Sequence, residues 1–303
     1  MFKVKEQLLF KVIFLFLSSV FLFIYQPKIY AYPLLNKNST GLYTELKEIE
    51  NAKYNIIITH GIAESSKEYE TLANYLNQFH YNVLLYDIRS HGQSRNNDNN
   101  IADIDNFHNF IDDLHLIINS LKQKNNLKNI LIGHSLGGMI NNCYVYKYND
   151  VDAVINSGTP TKIIDSVQNF INEENIKNMD NIPLGMNDEK LSRLPLTKEM
   201  KNFRTVNLLT PNFIRNTMVL SIGYFEENLI NNSFHYPVPI LLLHGEQDQV
   251  ILPENSKELF NLLQNKNKKL KLYPLNYHNL FNDLENEKVY KDIIQWLEKL
   301  IFD

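Results

Sequence analysis

A serine set between two glycines, Gly133-His134-Ser135-Leu136-Gly137, follows the apolar run Asn129-Ile130-Leu131-Ile132. It precedes Gly138-Met139-Ile140 and a segment of helical apolar spacing. Strand, sharp turn and helix form the context in which G-x-S-x-G acts as a nucleophile elbow. A Cβ at Gly133 or Gly137 would crowd the backbone or the following helix. The turn holds the Ser135 hydroxyl outward, beside the unpaired N–H groups and positive end of that helix. A serine hydroxyl is a weak nucleophile, so it needs a base to take its proton and an acid to orient that base. After an elbow of this kind both partners come later in the chain, acid before base.

Of nine histidines, His244 and His278 follow residue 236. His244 ends a strand and adjoins Gly245, which suits a structural role. His278, in Asn276-Tyr277-His278-Asn279 just after the last strand, is the expected base. Asp248, in the loop Gly245-Glu246-Gln247-Asp248, is the expected acid. Glu246 is its competitor and reads as the solvated carboxylate. Asp283, beyond the base, reads as a helix-start or surface carboxylate. The oxyanion formed at a substrate carbonyl needs two N–H donors, one from Leu136 and one from the loop after His60-Gly61, where Ile62 is the candidate. The alternative is that His60-Gly61 is only a turn. His91 and His134 are read as packing or hydrogen-bonding residues, and Cys143 as a small buried hydrophobe. There is no H-E-x-x-H, no cysteine pair and no P-loop, so no metal and no organic cofactor is expected.

These residues need a frame that brings them to one place. Tyr54–Thr59, Tyr81–Tyr86, Asn129–Ile132, Val151–Ile155, Pro239–Leu243 and Leu270–Tyr273 read as strands. Glu68–Phe79, Ile104–Leu121, the segment after Ser135, Asn255–Leu263 and Val289–Ile301 read as helices. Thr40–Ile49 adds one or two edge strands. Alternation of this kind means a mostly parallel sheet with helices on both faces. Functional loops then gather at the carboxyl ends of the strands, where His60, Asp87, Ser135 and Ser157 all fall. From Thr159 to Tyr236 the rhythm stops. Helical patches such as Ile163–Ile171 and Phe213–Phe225 alternate with Pro160, Pro183, Pro195 and Pro211. The reading is a helical cap over the strand ends, with a second domain as the alternative. Core residues 32–158 and 237–303 then flank a cap at 159–236.

Charges nearly balance, with 30 Lys and Arg against 34 Asp and Glu, so nothing argues for a nucleic-acid partner. Lys3, Lys5 and Lys11 accompany an apolar run from Val12 to Tyr25, followed by Gln26-Pro27-Lys28-Ile29-Tyr30-Ala31. Residues 1–31 therefore read as a signal peptide cleaved near Ala31 or as an N-terminal membrane anchor, a buried helix being the third option. The run is short for a span, which needs about 20 apolar residues. The expected location is exported or membrane-anchored. With Cys143 the single cysteine, neither an intramolecular disulfide nor a lipid-modified N-terminal cysteine is available.

His60-Gly61-Ile62-Ala63-Glu64, Asp87-Ile88-Arg89-Ser90-His91-Gly92-Gln93-Ser94, Gly133-His134-Ser135-Leu136-Gly137-Gly138 and the Asp248 and His278 loops occur in one order. That order resembles the monoacylglycerol lipase and lysophospholipase family of α/β-hydrolases. The resemblance spans about Leu42 to Leu300 and includes the ending Gln295-Trp296-Leu297. It departs at Ser90, where the family usually has glycine. It implies an α/β-hydrolase fold and hydrolysis of carboxylic esters carrying one fatty acyl chain. Phe203, Leu208, Leu209, Phe213, Ile214, Met218, Leu220 and Phe225 would line an acyl tunnel or form the cap's own core. The expected substrate is a lipid or small ester, with membrane contact through the N-terminus and cap. The rival readings are a small-ester carboxylesterase and a non-catalytic ligand-binding protein on a retained hydrolase fold.

Overall fold

The computed structural model describes residues 28–35, 41–95, 100–163, 173–184 and 188–300. The run Val12–Tyr25 and most of the Ile163–Ile171 patch lie outside the described residues. The chain opens with β1 (Lys28–Leu35), β2 (Gly41–Glu48), β3 (Tyr54–Thr59), α1 (Glu70–Gln78), β4 (Tyr81–Tyr86) and β5 (Ile101–Ala102). It continues with α2 (His108–Lys124), β6 (Lys128–His134), α3 (Leu136–Lys147) and β7 (Ala153–Ser157). Residues 159–236 then carry β8 (Ile182–Pro183), α4 (Lys198–Phe203), β9 (Leu208–Leu209), α5 (Pro211–Arg215) and α6 (Ser221–Asn231). The strand–helix rhythm resumes with β10 (Ile240–Gly245), α7 (Glu254–Leu262), β11 (Lys268–Tyr273) and α8 (Asn286–Leu297).

Eight strands form one sheet in the order β1-β2-β4-β3-β6-β7-β10-β11. Every pair from β4 to β11 is parallel, while β1–β2 and β2–β4 are antiparallel. The inner strands β3, β4, β6, β7 and β10 are mostly apolar and buried nearly throughout because both faces are covered, while the outer β2 and β11 carry charged residues. Ile57, Leu131 and Leu242 join one buried layer with α2 and α3. Ile56, Ile58, Ile130, Ile132 and Leu243 join the other with α1 and α8. Register places Thr59 beside Gly133, and His134 and Leu243 beside Ser157, so the carboxyl ends of β3, β6, β7 and β10 meet at one edge.

Three features differ from the sequence reading. Lys28–Ala31, read as the end of the N-terminal signal or anchor segment, form the first half of β1 and pair with β2. The helix expected from Ile104 starts at His108, because the Ile104 carbonyl accepts from the Asn212 and Asn216 side chains and Asn106 Oδ1 accepts from the His108 N–H. A small second sheet, β5-β9-β8, joins the loop after β4 to residues 182–209. Among the described residues no helix is long and apolar enough to cross a membrane.

Candidate active site

Ser135 takes φ 51° and ψ −117°, a conformation costly for any residue with a side chain. A tertiary and a local hydrogen bond hold it: the Ser135 N–H donates to the Ser157 carbonyl (2.9 Å), and the Gly138 N–H, in the first turn of α3, donates to the Ser135 carbonyl (3.1 Å). The flanking glycines are required by space. A Cβ on Gly137 would sit 2.1 Å from the Thr59 carbonyl oxygen, and one on Gly133 would sit 2.6 Å from the Gly138 nitrogen. Leu136 is the first residue of α3, so its N–H belongs to the donors a helix leaves unpaired.

Ser135 and His278 share the wall of a cavity of about 200 Å³. Ile62 lines it from the β3 loop, and Leu209, Ile214 and Met218 line it from residues 159–236. Phe213 and Phe225, two of the three phenylalanines in the expected tunnel set, are instead fully buried in the core. His278 Nδ1 donates to Asp248 Oδ2 at 2.7 Å. Asp248 Oδ1 accepts from the Val250 and Ile251 N–H groups (2.8 and 2.9 Å). Burial alone would raise the Asp248 carboxyl. His278, together with the His244 hydrogen bond, overrides this and holds it well below the usual carboxylate range. Glu246 is exposed.

His244 does more than fill space. Its Nε2 lies 3.1 Å from Asp248 Oδ2 and 2.8 Å from the Ile251 carbonyl, and its Nδ1 accepts from the Ser256 hydroxyl (2.7 Å). It therefore holds the same carboxylate oxygen that His278 engages. Asp283 is a correction. It is neither a surface group nor a helix start but is fully buried, accepting from the Tyr277 N–H (2.9 Å) and from the Arg193 N–H and Nε (both 3.0 Å). Those bonds tie the His278 loop to residues 192–193, and the Asn279 N–H donates to the Leu191 carbonyl at 2.8 Å.

The sequence reading assigned no role to Glu64, which is buried at the centre of the site. Its Oε2 accepts from the Gly61 N–H (2.8 Å) and the Tyr69 hydroxyl (2.5 Å), and its Oε1 accepts from Asn279 Nδ2 (2.8 Å). Burial opposes its ionisation, but His134, Arg204 and these donors bring its pKa down to about 2. His134, 3.7 Å from Glu64, is held neutral by burial, its pKa lowered to about 4. His91 is likewise buried and lowered to about 3. His60 accepts from the Ile88 N–H at Nε2 (3.0 Å) and donates from Nδ1 to the Gly61 carbonyl (2.7 Å), which bends the chain into the Ile62 turn. Glu68, four residues beyond Glu64, receives both Nε and Nη2 of Arg204 (2.9 and 2.6 Å). Burial and the Glu64 charge still push it up to about 8. The sequence signal for these residues is weak, since Arg204 meets Glu68 across 136 positions. Among the described residues no group of three or more His, Cys, Asp or Glu side chains could hold a metal ion.

A mostly parallel sheet whose central strand ends in a serine elbow, with the carboxylate–histidine pair on the loops after the last two strands, defines an α/β-hydrolase. The chain belongs to the family described as Serine aminopeptidase, S33, whose model matches residues 50–285. It is 22% identical over 247 residues to a monoacylglycerol lipase of Mycolicibacterium smegmatis, covering 80% of this chain and 87% of that relative. It is 26% identical over 275 residues to a monoglyceride lipase of Saccharomyces cerevisiae, covering 80% and 84%. The solved structure of a soluble variant of the Saccharomyces cerevisiae monoglyceride lipase superposes with a TM-score of 0.75 at 18% identity, covering 90% of this chain and 95% of that one, and shows the shared fold. The resemblance drawn from the motifs holds: the chain is a monoacylglycerol lipase-like α/β-hydrolase and an enzyme.

Proposed function

We propose that this chain is a carboxylic ester hydrolase acting on single-chain lipids, monoacylglycerols or lysophospholipids, through an acyl-enzyme on Ser135. The observation that carries the reading is a strained Ser135 sharing one cavity with His278, whose other ring nitrogen is held by Asp248 at 2.7 Å. His278 Nε2 takes the hydroxyl proton as Ser135 Oγ attacks the ester carbonyl. Asp248 fixes the tautomer and stabilises the imidazolium. The Ile62 and Leu136 N–H groups receive the oxyanion, each worth about 3 kcal/mol of barrier. The C–O bond breaks, His278 returns the proton to the leaving alcohol, and water repeats the cycle to release the acid. The relatives, named as monoacylglycerol and monoglyceride lipases, support this substrate class.

The cavity volume favours a second reading. About 200 Å³ is below the roughly 300 Å³ at which ligand pockets begin, so the cleft as it stands suits a short acyl chain. A long chain requires Met218 and its neighbours to move aside. Export or anchoring through residues 1–31 is part of the proposal. Because Lys28–Ala31 form the first half of β1, a cut after Ala31 would split that strand, and retention as an anchor leaves the sheet whole. The test is hydrolysis of p-nitrophenyl esters from acetate to palmitate by the full chain in detergent, with Ser135→Ala alongside. Turnover rising with chain length and a loss of about 10⁶ in Ser135→Ala support the lipid reading. A profile peaking at butyrate selects the small-ester reading. Equal inertness of both proteins discards both readings.

A further inference from the structure

The oxyanion loop is assembled from both sides of the cavity. Gly61 to Glu64 form a closed turn: the Glu64 N–H donates to the Gly61 carbonyl (3.3 Å), and the Glu64 carboxylate takes the Gly61 N–H in return (2.8 Å). Ile62 sits in the middle of that turn, and Ala63 holds φ 58°, outside the region side-chain-bearing residues prefer. The turn therefore depends on the Glu64 carboxylate staying where it is. The same carboxylate accepts from Asn279, the neighbour of His278, so one group braces both the oxyanion loop and the base loop.

Glu64 does not stand alone. The buried Glu68 lies four residues on, in the short 3-10 helix Ser66–Tyr69, and two carboxyls so placed oppose each other's ionisation in a medium of low dielectric. The guanidinium that faces both comes from the segment between α4 and β9. Arg204 holds Glu68 through two donors at 2.9 and 2.6 Å, and its Nη2 lies 3.7 Å from Glu64 Oε1. A planar fork on a carboxylate sets orientation as well as charge. Five residues beyond Arg204, Leu209 lines the cavity. Docking of this segment over the substrate and neutralisation of the carboxylates under the oxyanion loop are thus one event.

We propose that Arg204 is a positioning residue for acylation: by pairing with Glu68 and Glu64 it fixes the Gly61–Glu64 turn, so the oxyanion hole is complete only when residues 191–209 are seated on the core. The inference rests on the ester-hydrolase reading above and adds to it a link between closure and catalysis. A lifted segment leaves the ionised Glu64 without its guanidinium beneath Ile62, with the buried Glu68 beside it, and a site that binds ester without turning it over.

The experiment compares the full chain with Arg204→Met, Glu68→Gln and the double variant on p-nitrophenyl butyrate, together with inhibition by an alkyl trifluoromethyl ketone, whose serine adduct carries an oxyanion. Arg204→Met is expected to lower kcat by about 30-fold with KM within about threefold, and to weaken the ketone by the same factor as kcat/KM, a part of what outright loss of one oriented donor costs. Adding Glu68→Gln to Arg204→Met removes the second buried acid beside Glu64 and is expected to recover most of that loss. A kcat within twofold of wild type, a change confined to KM, or a ketone affinity that does not follow kcat/KM overturns the proposal. If Arg204→Met does not fold, Arg204→Lys keeps the charge without the fork. A partial loss in kcat alone then supports the proposal, and wild-type kinetics overturn it. An inert wild type removes the hydrolase reading and this inference together. An active wild type matched by Arg204→Met removes the inference alone.

Discussion

Asp248 shows how much one residue is asked to hold: two imidazoles on one oxygen and two backbone N–H groups on the other. Asp248→Asn keeps the volume but presents an amide where a carboxylate fixed the His278 tautomer. A drop in kcat of about 10⁴ is expected, with KM and the far-ultraviolet dichroism little changed. A loss in KM alone would mean that His278 is not the base. Ser90 tests a different kind of constraint. It stands at φ 66°, the left-handed region where glycine is at ease, and its hydroxyl donates to the Asp103 carbonyl at 2.8 Å. Ser90→Gly should stay within about 1 kcal/mol of wild type in urea unfolding, while the β-branched Ser90→Val should lose about 2 kcal/mol. Equal midpoints for the two would show the turn to be unstrained. That Ser135, Asp248 and His278 meet was legible in the sequence because strand ends and chain order bring them to one edge. Glu64, Arg204 and Asp283 were not, because their roles exist only through partners brought from far along the chain.

At the scale of elements, α3 is buried on all sides, lying between the sheet and α6, which accounts for its weak polar face. The Cys143 thiol donates to the Ser221 carbonyl across that contact (3.3 Å), and burial pushes its pKa well above the ordinary thiol value. Cys143 should therefore resist a disulfide-exchange reagent in the native protein and titrate fully in denaturant. Rapid native labelling would mean that α6 lifts from α3. The second arginine clasp is Arg193, which holds buried Asp283 and also pairs with Glu285. Arg193→Ala should cost about 2 kcal/mol in unfolding free energy by leaving Asp283 short of partners, and no change would show that water replaces the guanidinium. β3 and β4 were readable to the residue and β6, β7, β10 and β11 to within two, since apolar runs between polar turns leave few choices, whereas β1 was read as part of the N-terminal segment. The start of α2 was misplaced because carbonyl 104 is claimed by asparagines more than 100 positions away.

For the molecule as a whole, buried titratable groups pull stability in opposite directions. His134 and His91 have folded pKa values near 4 and 3, below the ordinary 6.5, so the unfolded chain binds their protons first. Their contribution is complete above about pH 6.5 and is lost as pH falls. Glu68, near 8 and above its ordinary 4.5, contributes below pH 4.5 and loses that contribution as pH rises through 8. Between pH 7.5 and 5 these slopes oppose, so the wild-type urea midpoint should stay nearly level. It should then fall steeply from pH 5 to 3, where the depressed Glu64 and Asp248 carboxylates join the histidines. In Glu68→Gln the histidine slope stands alone, and stability should drop by about 3 kcal/mol from pH 7.5 to 5. A variant as level as wild type would mean that Glu68 is ionised in the folded state. The general architecture was open to reading because its rhythm repeats. The β5-β9-β8 ribbon was hidden because each of its strands is two residues long. That ribbon has an evolutionary consequence. Ile101 and Ala102 arise in the sheet-bearing half of the chain yet pair with Leu208 and Leu209, so residues 159–236 are stitched in rather than set on top. Swapping that segment with another hydrolase's would leave a loose thread in the recipient, and new specificities in this lineage must arise by changing both sides of the seam together.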